Sequence, residues 1–284
     1  MSQAEQLWRR LNAQVIEAGN CMHCGACAGL NPDLVGIADT AAGPLPHLKR
    51  PPAASDEPGL ALAWAVCPGR GVPFPELFDH LGARPVSWLL GPYRAIYLGH
   101  ATEERIRRRA ASGGVITALL IHLLETGRAT AAVVVRVGLR TPECAEAVLA
   151  RSREEILAAS QSAYEVLPAL HLLPEIANSA GPVAMVALPE QAAAVRMLQA
   201  AGNRGACKIG FVAGPTWGRT CIAARCAPSW PATGLDRKRR SARSSGGPAS
   251  GPGGFESSWP TGGCLKRPSF TTTISPLSIW RATR

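Results

Sequence analysis

Four cysteines constrain this chain more than any other feature. Cys21-x-x-Cys24-Gly25-x-Cys27 is answered forty residues later by Cys67-Pro68-Gly69. Three thiolates at two-residue gaps can cap three corners of a cubane from one tight loop. A distant Cys followed by Pro supplies the fourth, as in Cys-ligated [4Fe-4S] sites. Gly25 lets the loop turn back without a Cβ clash, and Pro68 stiffens the turn that presents Cys67. Zinc is the alternative, because His23 between two of the thiols could complete a three-Cys, one-His site. Four-cysteine zinc sites, however, usually come as two separate C-x2-C pairs. Free surface thiols are the third reading.

At 284 residues the chain is long enough for one large or two smaller domains. Its first residues, up to Gln14, are polar and carry the stripe Leu7, Trp8, Leu11, Val15, which predicts a short amphipathic helix and no secretory signal. No apolar run reaches the roughly twenty residues of a membrane span. Nine cysteines without a secretory signal predict a reducing, cytoplasmic setting in which thiols hold metal.

The net charge of +10 suggests nucleic acid, but its distribution argues otherwise. Residues 1–217 carry 19 basic and 18 acidic side chains, and residues 218–284 carry 11 and 2. The excess therefore sits in a tail with no hydrophobic period, marked by Arg237-Lys238-Arg239-Arg240 and a Gly/Pro run. A basic disordered tail is one reading. Such tails rarely hold Trp217, Trp230, Trp259 and Trp280 together with Cys221 and Cys226. Those residue types together are what a GC-rich gene yields when read out of frame. We expect a frameshift between about Gly214 and Cys221, and no nucleic-acid partner.

Between the cysteines and the tail, residues 31–66 are Pro-rich and predict an irregular loop closed by a helix around Leu60–Val66. Arg94–His100 predicts a strand, with a helix opening at Ser112-Gly113-Gly114 and Ser112 as its N-cap. The apolar set Val115, Leu119, His122, Leu123 falls on one face of that helix, with His122 read as a packed core residue. Ala131–Val137 predicts a strand buried on both faces, completing a βαβ unit. Glu154–Gln161 predicts a helix, Pro182–Leu188 a strand, Ala192–Ala201 a helix, and Cys207–Ala213 a strand. The expected class is α/β, α+β overall. Ligands of such sheets gather at strand carboxyl ends and helix starts, here Ser112-Gly113-Gly114 and Leu188-Pro189-Glu190-Gln191. No Ser/His/Asp set or paired-carboxylate motif is present. Glu190 reads as a first-turn carboxylate favoured by the helix dipole, and Cys144 and Cys207 as structural.

In this order, the Cys motif, Cys67-Pro68-Gly69, Ala111-Ser112-Gly113-Gly114-Val115-Ile116-Thr117, Gly181–Pro189 and Ile209-Gly210-Phe211 resemble the beta subunits of coenzyme F-420 hydrogenases and dehydrogenases. That family includes formate dehydrogenase beta subunits and hydroxymethyl-chlorophyll reductases. The resemblance covers roughly residues 15–215. It implies a small ferredoxin-like iron–sulfur part at 1–90 and a flavin-binding core at 91–217, while the composition of the tail at 218–284 predicts no regular fold there. By position, Cys21, Cys24, Cys27 and Cys67 would hold a [4Fe-4S] cluster. Ser112, Gly113, Gly114 and Thr117 would meet FAD, with Ser162, Tyr164, Pro189 and Gln191 as further cofactor contacts. The implied activity is an oxidoreductase joining a small-molecule hydride carrier, such as coenzyme F-420, to redox partners of hydrogenase, dehydrogenase or ferredoxin type.

Three departures from the pattern stand out. Ala163 replaces a Lys, Glu190 replaces a Cys after Leu188-Pro189, and Val212 replaces a Cys after Phe211. The alternatives are a non-catalytic iron–sulfur subunit of a larger complex, or a zinc-stabilised nucleic-acid binder using the basic tail. Sequencing the locus tests the frameshift: a single-base slip near codons 214–221 is expected, and an unbroken frame there refutes it.

Overall fold

A computed structural model describes residues 1–82, 85, 91–138 and 144–215. The expected basic tail at 218–284 lies outside the described residues. The chain opens with α1 (Gln3–Leu11), set by a capping box in which Ser2 Oγ accepts from the Glu5 N–H and Glu5 accepts from the Ser2 N–H. Arg9 and Arg10 occupy its last turn, where the helix dipole favours cations. The helix continues as a π turn, Asn12–Ile16. Of the expected stripe, Leu11 and Val15 are buried, whereas Leu7 and Trp8 are half-buried at the edge of the N-terminal core.

Residues 31–66 are more regular than their prolines predict. After α2 (Ala26–Leu30), β1 (Val35–Thr40) and β2 (Gly43–Leu48) form an antiparallel hairpin. Pro44 and Pro46 are tolerated because they sit at alternate positions of a two-stranded sheet. Their missing N–H groups thus fall on the same outer edge, away from β1. Helix α3 (Glu57–Ala65) follows, starting earlier than expected because Pro58 fits the first turn of a helix. The short α4 (Phe74–His80) ends this part.

The central sheet has four strands in the order β4-β3-β5-β6. They are β3 (Ala131–Val137), β4 (Ala145–Ala150), β5 (Val183–Val186) and β6 (Ile209–Ala213). β4 is antiparallel to β3, whereas β5 and β6 run parallel to it. β3 is buried on both faces as its composition predicts: Ala132 and Val134 point into one core, and Ala131 and Val133 into the other.

Arg94–His100 is not a strand. Both flanks of β3 are filled, by β5 and by β4, and β4 follows so closely in sequence that closing its hairpin costs little entropy. Ile96, Tyr97 and Leu98 are left 79, 60 and 73% exposed. The expected βαβ unit across residues 94–137 is therefore absent. The parallel crossover lies instead at β5, α9 (Pro189–Ala200) and β6, with α10 (Arg204–Cys207) inserted.

Helices cover both faces of the sheet. On one side α5 (Glu104–Arg109), α6 (Val115–Glu125) and α7 (Arg153–Ala158) bury Ile106, Leu120, Ile121, Leu123, Ile156 and Leu157. The buried face of α6 is thus not the expected one, since Val115 is exposed and Leu120 and Ile121 turn inward. A helix apolar nearly all round leaves this choice to its neighbours. On the other side lie α8 (Leu173–Ala177), α9 and α10. No helix among the described residues is long and apolar enough to cross a membrane.

The cysteine-bearing part packs on this second side. Ala26, Val66 and Leu77 join the same core as β3, β5 and α9. The closest approach is backbone on backbone: a Cβ on Gly25 would lie 2.3 Å from the Pro168 carbonyl oxygen, and one on Gly29 2.1 Å from that of Leu170. Gly25 also has φ +83°, a conformation that costs a residue with a side chain about 1–2 kcal/mol. We therefore expect Gly25→Ala to destabilise the protein by at least that amount, and Gly29→Ala to act comparably through the clash alone. A thermal melt checks both; an unchanged melting temperature in either variant would contradict this packing.

Candidate metal and cofactor site

The π turn after α1 ends the helix, and the chain then loops through Cys21 and Cys24 into α2, whose first turn carries Cys27. Gly25, in the left-handed region, is the N-cap that makes this reversal. Cys67 arrives from the end of α3 and caps the 3-10 turn Pro68–Arg70. All four thiols line one cavity, walled by Leu11, Val15, Ile16, Pro46, Ala63 and Pro68. Residues forty apart in sequence are thus brought together.

Backbone N–H groups point at each sulfur: His23 at Cys21, Ala26 at Cys24, Ala28 at Cys27, and Gly69 and Arg70 at Cys67. Such donors stabilise thiolates, but burial dominates and pushes all four thiols up, Cys24 to about 12. For Cys24 and Cys27 the neighbouring thiolates add to the rise. A pocket of this kind holds anionic sulfur only if a cation offsets the charge. Four thiols with directed N–H donors and apolar walls are a donor set that fits an iron–sulfur cluster.

His23 does not read as a fifth donor to this ring. Its Nδ1 stands 3.1 Å from the Pro44 carbonyl oxygen, on the hairpin. Among the described residues no three His, Cys, Asp or Glu side chains form a group that could hold a single metal ion. The thiols share a cavity without closing on one point.

The Leu188-Pro189-Glu190-Gln191 turn lies beside this loop, which the sequence does not reveal. Leu170 N–H donates to the Cys24 carbonyl, and Gln191 Nε2 donates to the Leu167 carbonyl three residues earlier. Gln191 is buried, and its Oε1 accepts from the Leu188 N–H, so the amide staples residues 167–170 to the start of α9. Pro189 is exposed at the first helical position. Burial raises the Glu190 carboxyl, while the nearby His23 works against that rise. The carboxyl end of β5 and the cysteine loop therefore meet at α9.

The Ser112-Gly113-Gly114 start differs from expectation. Gly114, at φ 74°, is the N-cap of α6 with no side-chain cap, and Ser112 is exposed two residues before it. A Cβ on Gly114 would come within 3.0 Å of Ile106, so α5 closes over this turn and excludes a side chain. Gly113 accepts from the Ala101 N–H at 2.6 Å, and Thr117 is half-buried in the first turn of α6. Because α6 leads back to the start of β3, its N-terminus points to the carboxyl edge of the sheet, as does that of α9. Ser162 and Tyr164 are exposed on the connection after α7. No hydrogen bond joins Ser112, Ser162 and Gln191 among the described residues.

Sequence reasoning missed Gly29, Pro168 and Leu170. The only signal was the Gly25-x-x-x-Gly29 spacing with Ala26 and Ala28 between, a small-residue face suited to close approach. Nothing in the sequence announces which carbonyls would fill it.

Comparison with known proteins bears on the middle of the chain. Residues 96–174 match the family described as coenzyme F420 hydrogenase/dehydrogenase, beta subunit N-term. The coenzyme F420 hydrogenase subunit beta of Methanosarcina barkeri (strain Fusaro / DSM 804) is 33% identical over 92 residues, which is 32% of this chain and 31% of the relative. A solved chain of the F420-reducing [NiFe] hydrogenase complex from Methanosarcina barkeri, studied by xenon derivatization, is similar at 28% identity and a TM-score of 0.39. That similarity covers 43% of this chain and 46% of the other. The chain spans about a third of the length of its curated relative. The family segment includes Ser112, Gly113, Gly114, Thr117, Ser162 and Tyr164, whereas the four cysteines, Pro189 and Gln191 fall outside it. Over this segment the chain is similar to the coenzyme F420 hydrogenase/dehydrogenase beta subunit family.

Proposed function

We propose that this chain is an iron–sulfur flavoprotein redox subunit. Cys21, Cys24, Cys27 and Cys67 hold a [4Fe-4S] cluster, and the carboxyl edge of the sheet receives FAD. The observation that carries the reading is the convergence of four thiols on one cavity, each met by backbone N–H groups. When bound, a cluster supplies one-electron transfer, and a flavin links it to two-electron hydride chemistry. A hydride carrier such as coenzyme F-420 on one side and a one-electron protein partner on the other suit that pairing. The name of the Methanosarcina relative supports the choice of carrier. A cytoplasmic setting accords with thiols kept for metal.

In this reading the protein's own groups position and neutralise. Gly114 starts α6 at the carboxyl edge of the sheet, where the N–H groups of the helix's first turn lie, although its own N–H donates to the Ser112 carbonyl. Arg105 and Arg109 of α5 add exposed positive charge nearby with no ion pair among the described residues. Helix start and guanidinium groups both favour an anionic group such as a flavin diphosphate. Gln191 acts by holding the 167–170 segment against the cysteine loop, and Pro189 opens the helix that faces it. Leu11, Val15, Ile16 and Ala63 give the sulfurs an apolar wall.

A non-catalytic iron–sulfur relay is the second reading, favoured by the exposure of Ser112, Ser162 and Tyr164 while the four thiols share one cavity. Flavin content separates the two. The experiment is an anaerobic absorption spectrum of the iron-reconstituted full chain, before and after dithionite. A broad visible band that bleaches, with flavin peaks above it, is expected. Cys24→Ser and Cys27→Ser should each remove most of the broad band. A colourless folded protein holding zinc would refute the cluster, and a band without flavin would favour the relay.

A further inference from the structure

We propose that the surface around Arg10, Trp64 and Arg70 is the docking face for an acidic protein that carries one electron. The proposal rests on the iron–sulfur reading and names the partner of that site. Its geometry starts at Cys67. Cys24 packs against the main core and Cys27 against the N-terminal core, whereas Cys21 and Cys67 belong to neither and form the outer edge of the thiol ring. Arg70 stands three residues beyond Cys67 and donates its backbone N–H to the Cys67 carbonyl at 3.1 Å, closing the turn beside that sulfur.

The Arg70 side chain leads outward from there. One guanidinium nitrogen donates to the Trp64 carbonyl at 2.8 Å, and the group stacks over the Trp64 ring at 3.8 Å from its centroid. Arg10, from the last turn of α1, lies over the same ring at 4.6 Å. Each contact is a favourable cation–π pair, yet together they hold two like charges on one indole. One arginine would suffice to cover Trp64. Neither has an ion-pair partner among the described residues, and both are exposed.

Neighbouring carboxylates offset this charge only in part. Asp56 is paired with Arg50, whereas Glu5 and Glu17 accept hydrogen bonds from neutral groups, the Ser2 N–H and the Asn12 amide, and keep their charge. On the other flank of α1 an open groove of about 460 Å³ adds Arg9 and Lys49 around Trp8 and Pro51. Lys49 uses one N–H on the Pro32 carbonyl, and Arg9 makes no hydrogen bond or ion pair among the described residues. Arg9, Arg10, Lys49 and Arg70 outnumber Glu5 and Glu17 on a face with an aromatic centre, beside one of the two outer thiols, and such a face complements an acidic carrier. One electron passes from the reduced cluster to the oxidised carrier, with no bond made or broken. Steering by such a face raises association rates most at low salt.

The test measures binding of an acidic [2Fe-2S] ferredoxin to the full chain at low and at near-physiological salt, with basic cytochrome c and a single-stranded oligonucleotide as controls. Electron transfer from the dithionite-reduced, reconstituted chain is followed in parallel. At low salt, Arg10→Gln with Arg70→Gln should weaken ferredoxin binding and slow its reduction about tenfold. The difference should shrink at 0.15 M salt, where the Debye length is about 8 Å. Arg9→Gln, which removes no contact, should have a smaller effect of the same sign, so the surface stays testable if the double variant folds poorly. Binding unchanged in the variants or insensitive to salt overturns the proposal, and so does an oligonucleotide bound as tightly as the ferredoxin. Failure to take up iron would sink the proposed function instead, since ferredoxin binding is read without the cluster.

Discussion

The structure depends on a backbone contact. The cysteine loop and α2 press against residues 168–170 so closely that only hydrogen atoms fit at positions 25 and 29. The Leu170 N–H donates to the Cys24 carbonyl at 2.9 Å across the same seam. Two segments about 140 residues apart are thereby locked, and each carries part of the site. Gln191 extends the lock by tying Leu167 to the start of α9. The thiol ring, the α9 turn and the carboxyl edge of β5 acquire their mutual positions from this seam.

The seam also sets the electrostatics. Sinking four thiols among Leu11, Val15 and Ala63 raises their pKa, and the N–H groups aimed at the sulfurs work in the opposite sense. Burial wins in the free protein, so the anionic form waits for a compensating cation. The positive face outside Cys67 has the reverse character: its arginines are solvated and stacked, and their charges project beyond the molecule. In the proposed function, a low-dielectric ring under a cationic rim suits the transfer of an electron to a protein partner.

Several elements were legible from local chemistry. Ala131–Val137 announced a doubly buried strand through its β-branched run, and the Cys spacing announced the thiol ring. Other elements were hidden by competing rules. The prolines at 44 and 46 suppress a strand reading, yet an outer edge tolerates both. Ala145–Ala150 lacks β-branched density except at Val148, and becomes a strand because β3 lies within easy reach. Arg94–His100 has the right residues for a strand and no partner among the described residues, so propensity alone does not make it one.

The sequence by itself determined which atoms are available: four thiols at cluster spacing, a glycine pair where α6 begins, a small-residue face from Gly25 to Gly29. It also determined that charge excess lies beyond residue 217. Only the tertiary structure decided that the α9 turn stands beside the thiols, and that Arg10 and Arg70 share one tryptophan. It also decided that Gly114, not Ser112, caps α6. The physical reason is that spacing governs contacts within a turn or two of chain. Contacts between distant segments are chosen by which surfaces exclude water and still satisfy their backbone groups, and no local pattern encodes that choice.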